Sequence, residues 1–254
     1  SSDLIRHGIT SYLDLFSSRQ LLYLHRAIDI LSSFDPLIRL NLALLVSTSL
    51  EFNSMLCGFK GADRRRPGAI RHTFSHHAYS FPYTALENNP LYPDKASGTL
   101  QNLSHTRIRR ARQWALQPKE RIIKNGASHT VTIHGEVDFG NEVTGLTDLR
   151  SGTRRFLLIQ GSSASLNLDS NSVDYIVTDP PYFDSVQYSD LAAFFRVWLK
   201  RLLPMGIKWD YNPDEAAVDP HPNGRGQSNG EGQYTKVLSA IFAECHRVLR
   251  KDHG

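Results

Sequence analysis

An α/β fold with an open, parallel, doubly wound sheet is predicted for the C-terminal part of this chain. Two apolar runs and two helical stripes predict it. Phe156-Leu157-Leu158-Ile159-Gln160 and Val173-Asp174-Tyr175-Ile176-Val177-Thr178 have strand length and the near-continuous apolar character of strands covered on both faces. A helical pattern follows from about Ser189 to Leu203. Another, from about Gln233 to Leu249, carries the stripe Val237, Leu238, Ile241, Phe242, Cys245, Val248 and Leu249. Strands alternating with helices argue for parallel pairing. Three regions are expected: a helical segment at 1–57, a basic irregular and helical insert at 58–150, and the α/β portion at 151–254.

The N-terminal segment reads as two helices. Ser17 or Ser18 caps the first, where Leu21, Leu24, Ile28 and Leu31 recur at helical spacing. Asp35-Pro36 starts the second, with Asp as N-cap and Pro at the first helical position, where a missing N–H costs nothing. Leu37, Leu40, Leu44 and Leu45 form its apolar face. Residues 58–104 are irregular and rich in Gly, Pro, His and Asn. Arg64-Arg65-Arg66-Pro67 is a charged turn, and Glu87-Asn88-Asn89-Pro90 is a helix stop. A helix from about Ser104 to Gln117 carries Arg107, Arg109, Arg110 and Arg112 and ends at Pro118. Short strands and Gly-containing turns are expected around 129–150. A polar loop spans 204–232. It carries an acidic group, Asp210, Asp214, Glu215 and Asp219, expected to order on binding substrate.

A composition of 40% hydrophobic and 21% charged residues is that of an ordinary globular protein. At 254 residues the chain holds one large domain or two small ones. Its longest apolar stretch, Leu37 to Phe52, is interrupted by Arg39, Asn41 and Glu51, which makes it a buried helix and not a membrane span. No signal peptide is visible, and the opening Ser1 without a Met suggests processing, trimming or a preceding leader. Cys57 and Cys245 are far apart and form no CxxC, so a disulfide framework or zinc site is not expected and a reducing cytoplasm fits.

The net charge of +4 is unevenly spread. Residues 60–124 hold thirteen Lys or Arg against four acids, whereas both flanking regions are net acidic. Such clustering is the electrostatic footprint of a phosphate-backbone partner, or else a solvated basic surface. The arginine helix has the same two readings, with phosphate contact favoured over a solvated face.

Chemistry concentrates in Thr178-Asp179-Pro180-Pro181-Tyr182, directly after an expected strand, where open α/β sheets place their ligand sites. An exocyclic base amine is a poor nucleophile because its lone pair is delocalised into the ring. The Asp179 carboxylate accepting one N–H, and the Pro180 carbonyl the other, favour a tetrahedral nitrogen with an available lone pair. Pro180 donates no competing N–H and, with Pro181, stiffens the loop. Tyr182 offers a ring on which an extruded base can stack. Four residues alone could be no more than a rigid turn. Their setting between strand and helix is what gives the motif weight.

The segment Asp174 to Leu203 resembles the amino-methylating DNA methyltransferases. It carries the motif together with Phe183-Asp184-Ser185-Val186-Gln187-Tyr188 and Phe194-Phe195-Arg196-Val197-Trp198-Leu199-Lys200. More narrowly it is similar to a prokaryotic group of adenine-specific DNA methylases found among phage-defence genes. Asp14 to Leu22, Glu87-Asn88-Asn89-Pro90 and Arg247-Val248-Leu249 extend the likeness over roughly half the chain, with 60–150 poorly matched. The resemblance implies a Rossmann-like methyltransferase sheet, S-adenosylmethionine as donor and DNA as substrate, in restriction-modification or defence and with further subunits as partners. It places Asp179, Pro180, Pro181 and Tyr182 at the target amine, with Phe183, Asp184 and Tyr188 shaping the base pocket. Adenine N6 is the favoured target and cytosine N4 the second. Gly161 and Ser162, in the turn after Phe156–Gln160, are candidate donor contacts or an ordinary strand-to-helix turn.

One feature of that family is missing: no Phe-x-Gly-x-Gly donor loop occurs. In the group it lies upstream of the segment similar to Asp14–Leu22, which would put it before Ser1, with the final strands after Gly254. The expectation is an internal portion of a longer protein, or a relative that has lost donor binding. Two rivals follow. One is an RNA guanine-N2 methyltransferase, since the same tetrapeptide serves that chemistry. The other is a catalytically inactive subunit that binds DNA within a defence complex. His72, His76 and His77 cluster ahead of Tyr79, but Pro82 and the irregular setting weaken metal geometry, and no metal is expected. Trp198, Phe194 and Phe195 are expected in the core of a helix flanking the sheet.

Overall fold

A computed structural model describes residues 2–62, 68–82, 86–92, 96–183, 186, 188–203 and 231–251. Arg64-Arg65-Arg66-Pro67, Asp184, Ser185, Gln187, and the acidic group Asp210, Asp214, Glu215 and Asp219 lie outside the described residues. Helix α1 (Ser2–Arg6) and a 3-10 turn (Tyr12–Leu15) lead into α2 (Ser18–Leu31) and α3 (Pro36–Phe52). Strands β1 (Phe59–Lys60) and β2 (Ala69–Ile70) form a small antiparallel pair. Helix α4 (Leu100–Leu103) runs through a π-helical stretch (Ser104–Arg109) into α5 (Arg110–Leu116). The hairpin of β3 (Lys119–Lys124) and β4 (Ala127–Thr132) follows. Next come β5 (Asn141–Glu142), α6 (Leu146–Arg150), β6 (Arg155–Phe156), α7 (Tyr188–Leu199) and α8 (Glu231–Val248).

Local chemistry starts the two N-terminal helices where the sequence says. The Ser17 hydroxyl accepts the Gln20 N–H at 3.3 Å, and the Gln20 side chain accepts the Ser17 N–H at 3.0 Å, a reciprocal capping box. Asp35 accepts the Leu37 N–H at 2.9 Å with Pro36 in the first turn. Leu24, Ala27 and Leu31 of α2 then pack in one core with Ala43, Val46 and Leu50 of α3. The arginine helix starts earlier than its sequence pattern, at Thr99, whose hydroxyl caps the Asn102 N–H. Its π-helical stretch coincides with Thr106, whose hydroxyl donates to the Asn102 carbonyl at 2.8 Å. Back-bonding of this kind loosens a helix.

Helix α7 completes the core. Phe194 and Trp198 are buried, with Phe194 edge-on to Phe74 at 5.1 Å and Trp198 edge-on to Phe16 at 5.2 Å. Offset and edge-on rings satisfy the aromatic quadrupole better than face-to-face stacks. These side chains are core, as expected, but they pack on the N-terminal helices and not against a sheet.

The expected doubly wound sheet is not formed by the described residues, whose sheets have two strands each. Of the run 156–160 only Phe156 is in a strand, paired parallel through Glu142↔Phe156. Of 173–178 only Val173 is bridged, parallel to Leu249. Several of their apolar side chains face outward, with Leu158 73% exposed, Tyr175 84% and Val177 98%, while Leu157, Val173 and Ile176 are half-buried. The expectation of two-sided burial is therefore corrected. An apolar run reports a tendency to be covered, and here no described element lies over it. No helix of the described residues is long and apolar enough to cross a membrane.

Replacing Phe194 by Ala should destabilise the protein by about 3–5 kcal/mol, the cost of a large cavity in a packed core. Denaturant unfolding of the two proteins side by side checks this.

Candidate active site

The C-terminal end of α8 positions the chain ahead of the motif. Arg247 donates to the Leu168 carbonyl at 2.9 Å, the Leu166 carbonyl at 3.2 Å and the Ser170 hydroxyl at 3.1 Å. It also pairs with Glu244 at 2.7 Å, and Glu244 accepts the Leu166 N–H at 2.8 Å. The Arg247 guanidinium, with the Leu166 N–H second, holds the Glu244 carboxyl down at about 2. Just beyond, the Val173 N–H donates to Val248 at 3.0 Å and the Arg250 N–H donates to Val173 at 2.9 Å. The backbone entering the motif is thus tied to a helix that follows it by more than fifty residues.

The motif itself is an exposed loop slung between two helices. Tyr188, the first residue of α7, accepts the Tyr182 N–H on its phenol oxygen at 3.0 Å. Tyr234, in the first turn of α8, donates to the Pro181 carbonyl at 2.9 Å, and the Phe183 ring stands edge-on to it at 5.2 Å. The Tyr182 hydroxyl donates to Asp179 Oδ1 at 3.0 Å, and this bond to a carboxylate raises the Tyr182 phenol above its ordinary value. The Tyr182 hydroxyl is therefore engaged with Asp179, while its ring is exposed.

What remains open is the acceptor pair. Asp179 is exposed, and among the described residues nothing donates to its Oδ2 or to the Pro180 carbonyl. Neither proline has an N–H to donate, and among the described residues the Pro180 carbonyl is without a donor, next in sequence to a carboxylate on a loop stiffened by two rings. A group with two N–H donors is what such a pair can hold.

The other expected contacts do not gather at the motif. Gly161 and Ser162 lie in an exposed turn in which the Ser162 hydroxyl and carbonyl accept the Ala164 and Ser165 N–H groups. Nothing lies within 4 Å of where a Gly161 side chain would start. Arg107, Arg109, Arg110 and Arg112 are all exposed on the helix of the insert. His72 pairs with Glu51 at 2.9 Å, beside the end of α3. Among the described residues no group of three or more His, Cys, Asp or Glu is placed to hold a metal ion.

Two segments far apart in sequence do meet. Arg19 forks onto Glu87, with its Nε 3.0 Å from Oε1, and the Ser17 hydroxyl donates to the same carboxylate at 2.6 Å. Arg19 and then Ser17 push the Glu87 carboxyl below its ordinary value. Asn88 is buried behind it and donates to the Phe52 and Ser97 carbonyls. A depression of about 510 Å³ opens here, lined by Leu22, Tyr23, Arg26 and Leu91 among others, and no motif residue reaches it.

Neither a protein-family model, nor a curated protein, nor a solved structure matches the chain.

Tyr234 and Glu244 were not singled out by sequence reasoning. Tyr234 sits 53 residues from its partner Pro181, and nothing in local spacing announces such a bond. Glu244 had a usable signal, an acid three residues before Arg247 on a helix.

Tyr188→Phe should speed hydrogen exchange of the Tyr182 amide about fivefold, the equivalent of one hydrogen bond of ~1 kcal/mol. Unchanged exchange would show that the phenol does not restrain the loop. Acid supplies a second check. Because the folded Glu244 carboxyl sits at about 2, below its ordinary 4.5, its stabilising bonds are fully present above pH 4.5. They are lost as pH falls through the folded value. Protection of the Leu166 amide, corrected for intrinsic exchange, should therefore fall between pH 4.5 and 2.

Proposed function

We propose that this chain carries the target-amine site of a DNA methyltransferase that uses S-adenosylmethionine to methylate an exocyclic amino group. Adenine N6 is the favoured acceptor and cytosine N4 the second. The observation that carries the reading is the motif's geometry. An exposed carboxylate and a prolyl carbonyl to which no described residue donates sit in one loop, which is braced by Tyr188 on one side and Tyr234 on the other.

The roles follow from that arrangement. With a base extruded from the duplex, Asp179 accepts one N–H of its amine and the Pro180 carbonyl accepts the other. Both bonds draw the nitrogen toward a tetrahedral geometry and free its lone pair. Tyr182 is hydrogen-bonded to Asp179 and fixes the carboxylate's orientation. The contribution is one of positioning, without a covalent enzyme intermediate.

The donor is assigned from the resemblance of the motif segment. Gly161 and Ser162, in an exposed turn, stay its candidate contacts, with an ordinary strand-to-helix turn as the alternative. The proposed fold is a Rossmann-like sheet in which 156–160 and 173–178 are strands. Their outward apolar side chains and the parallel pairing at Phe156 and Val173 support it. A role in restriction-modification or phage defence, with further subunits, accords with this reading. The rivals are an RNA guanine-N2 methyltransferase and a catalytically inactive DNA-binding subunit, the second supported by the lack of a Phe-x-Gly-x-Gly sequence in the chain.

Nucleoside mass spectrometry on DNA incubated with the full-length protein and donor decides among these. N6-methyladenine or N4-methylcytosine should form, and Asp179→Ala should lower its yield by on the order of 100-fold, the scale of a lost positioning contact. No methylated base from the unmutated protein, with DNA still bound, would leave the binding subunit.

A further inference from the structure

The insert contains a two-stranded ribbon whose two faces differ in kind. Residues opposite each other in an antiparallel ladder share a face, and the register here is Lys119↔Thr132, Arg121↔Thr130 and Ile123↔Ser128, alternating with Glu120↔Val131, Ile122↔His129 and Lys124↔Ala127. One face therefore reads Lys119, Arg121, Ile123, Ser128, Thr130 and Thr132: two cations, three hydroxyls, one apolar side chain and no acid. The ribbon's single acid, Glu120, is on the other face with Ile122 and Val131, which are partly buried. Both cations of the first face are exposed, and among the described residues neither has an ion-pair partner. Ile123 at its tip is 80% exposed.

We propose that this acid-free face of the β3–β4 ribbon docks in the major groove of duplex DNA, an inference resting on the DNA reading above. Charge complementarity argues for the occupant. From Ser104 to Thr132 the chain holds seven Lys or Arg and one acid. The ribbon also has the dimensions for it. A two-stranded ribbon fits the B-form major groove, about 12 Å wide, whereas the deep, narrow groove of an RNA duplex excludes it. Side chains on one face recur every ~7 Å, close to two steps of the ~3.4 Å phosphate spacing along one strand. Arg121 at the centre has the fork that reads guanine, the hydroxyls suit phosphates or base edges, and Ile123 suits a thymine methyl.

The ribbon is joined to the arginine helix, which extends the same footprint. The Asp138 N–H after the ribbon donates to Ala115 in α5 at 2.6 Å, and the Ile133 N–H donates to Pro118 between them at 2.9 Å. Lys119 borders a depression with Arg110 and the half-exposed Trp114 of α5. Arg107, Arg109, Arg110 and Arg112 are then placed for flanking phosphates.

Fluorescence anisotropy with labelled duplex DNA, measured without methyl donor on the full-length protein, tests the face directly. Arg121→Ala and Lys124→Ala remove the same charge from opposite faces. Arg121→Ala should weaken binding about tenfold and lower the salt slope of log K by about 0.9, while Lys124→Ala stays within about twofold. Ile123→Asp, at an exposed position that does not threaten folding, should weaken binding as much as Arg121→Ala. Equal losses from Arg121→Ala and Lys124→Ala, an unaffected Ile123→Asp protein, or duplex RNA competing as well as duplex DNA would each overturn the proposal. Methylation by the same proteins keeps the two readings apart. Absent methylation with face-dependent DNA binding would sink the enzyme and leave the ribbon. Active methylation with face-independent binding would do the reverse.

Discussion

Phe194 ties the chemistry-bearing loop to the best-packed part of the molecule. Its ring is buried among Phe16, Phe74 and Phe195, and it lies one and a half turns into the helix that Tyr188 begins. Tyr188 in turn holds the backbone of Tyr182. A rigid core thus reaches the motif through a single short helix. On the other side the restraint is polar: Arg247 and Glu244 grip the turn that precedes Val173, and Tyr234 holds Pro181. The proposed task of aiming two acceptors would need both anchors, because a displacement of about 1 Å is enough to lose much of a positioning effect.

Sequence reasoning worked where a local rule and the tertiary structure agree. Ser17 or Ser18, and Asp35 with Pro36, announced their helices because caps depend only on residues a few positions apart. Helices α7 and α8 were legible from their apolar stripes. The ribbon was only half seen: strands were expected from about 129, yet Asn125-Gly126 between alternating segments marks a two-residue turn. Both residues have positive φ, at 53° and 73°, the condition such a turn requires. Within the site, Asp179, Pro180 and Tyr182 were visible as a motif, whereas the hands that hold it were not. Tyr188 was read as a wall of the base pocket, and in the structure its phenol oxygen also accepts the Tyr182 N–H, while Tyr234 carried no signal at all. Long-range hydrogen bonds leave no periodicity behind.

The largest departure concerns 156–160 and 173–178. Both runs combine strand-forming residues with outward apolar side chains, and each makes only the beginning of a parallel pairing. Hydrophobic pattern specifies that a segment is to be covered but not by what. Burial on two faces requires neighbours on both sides in the sheet and layers above and below it, and none of the described elements supplies them. The helices expected to cover such a sheet have other partners: α7 faces the N-terminal core, and α8 touches the run through its last turn. The same segment can therefore read correctly as a strand by composition and stand exposed in the structure.

Separating contact from chemistry along the chain has a physical rationale. A duplex-binding surface gains from exposed cations and needs little core, and the insert has that character, with Arg107 to Arg112 and both ribbon strands largely in solvent. The proposed amine site would need few charges and tight bracing, and the hydrogen bonds of the motif loop come from phenols and backbone groups. Placing seven cations beside Asp179 would lower its basicity as an acceptor and compete for its oxygens. Kept apart along the chain, the basic arm would serve the proposed attraction of a polyanion, while among the described residues no cation pairs with Asp179.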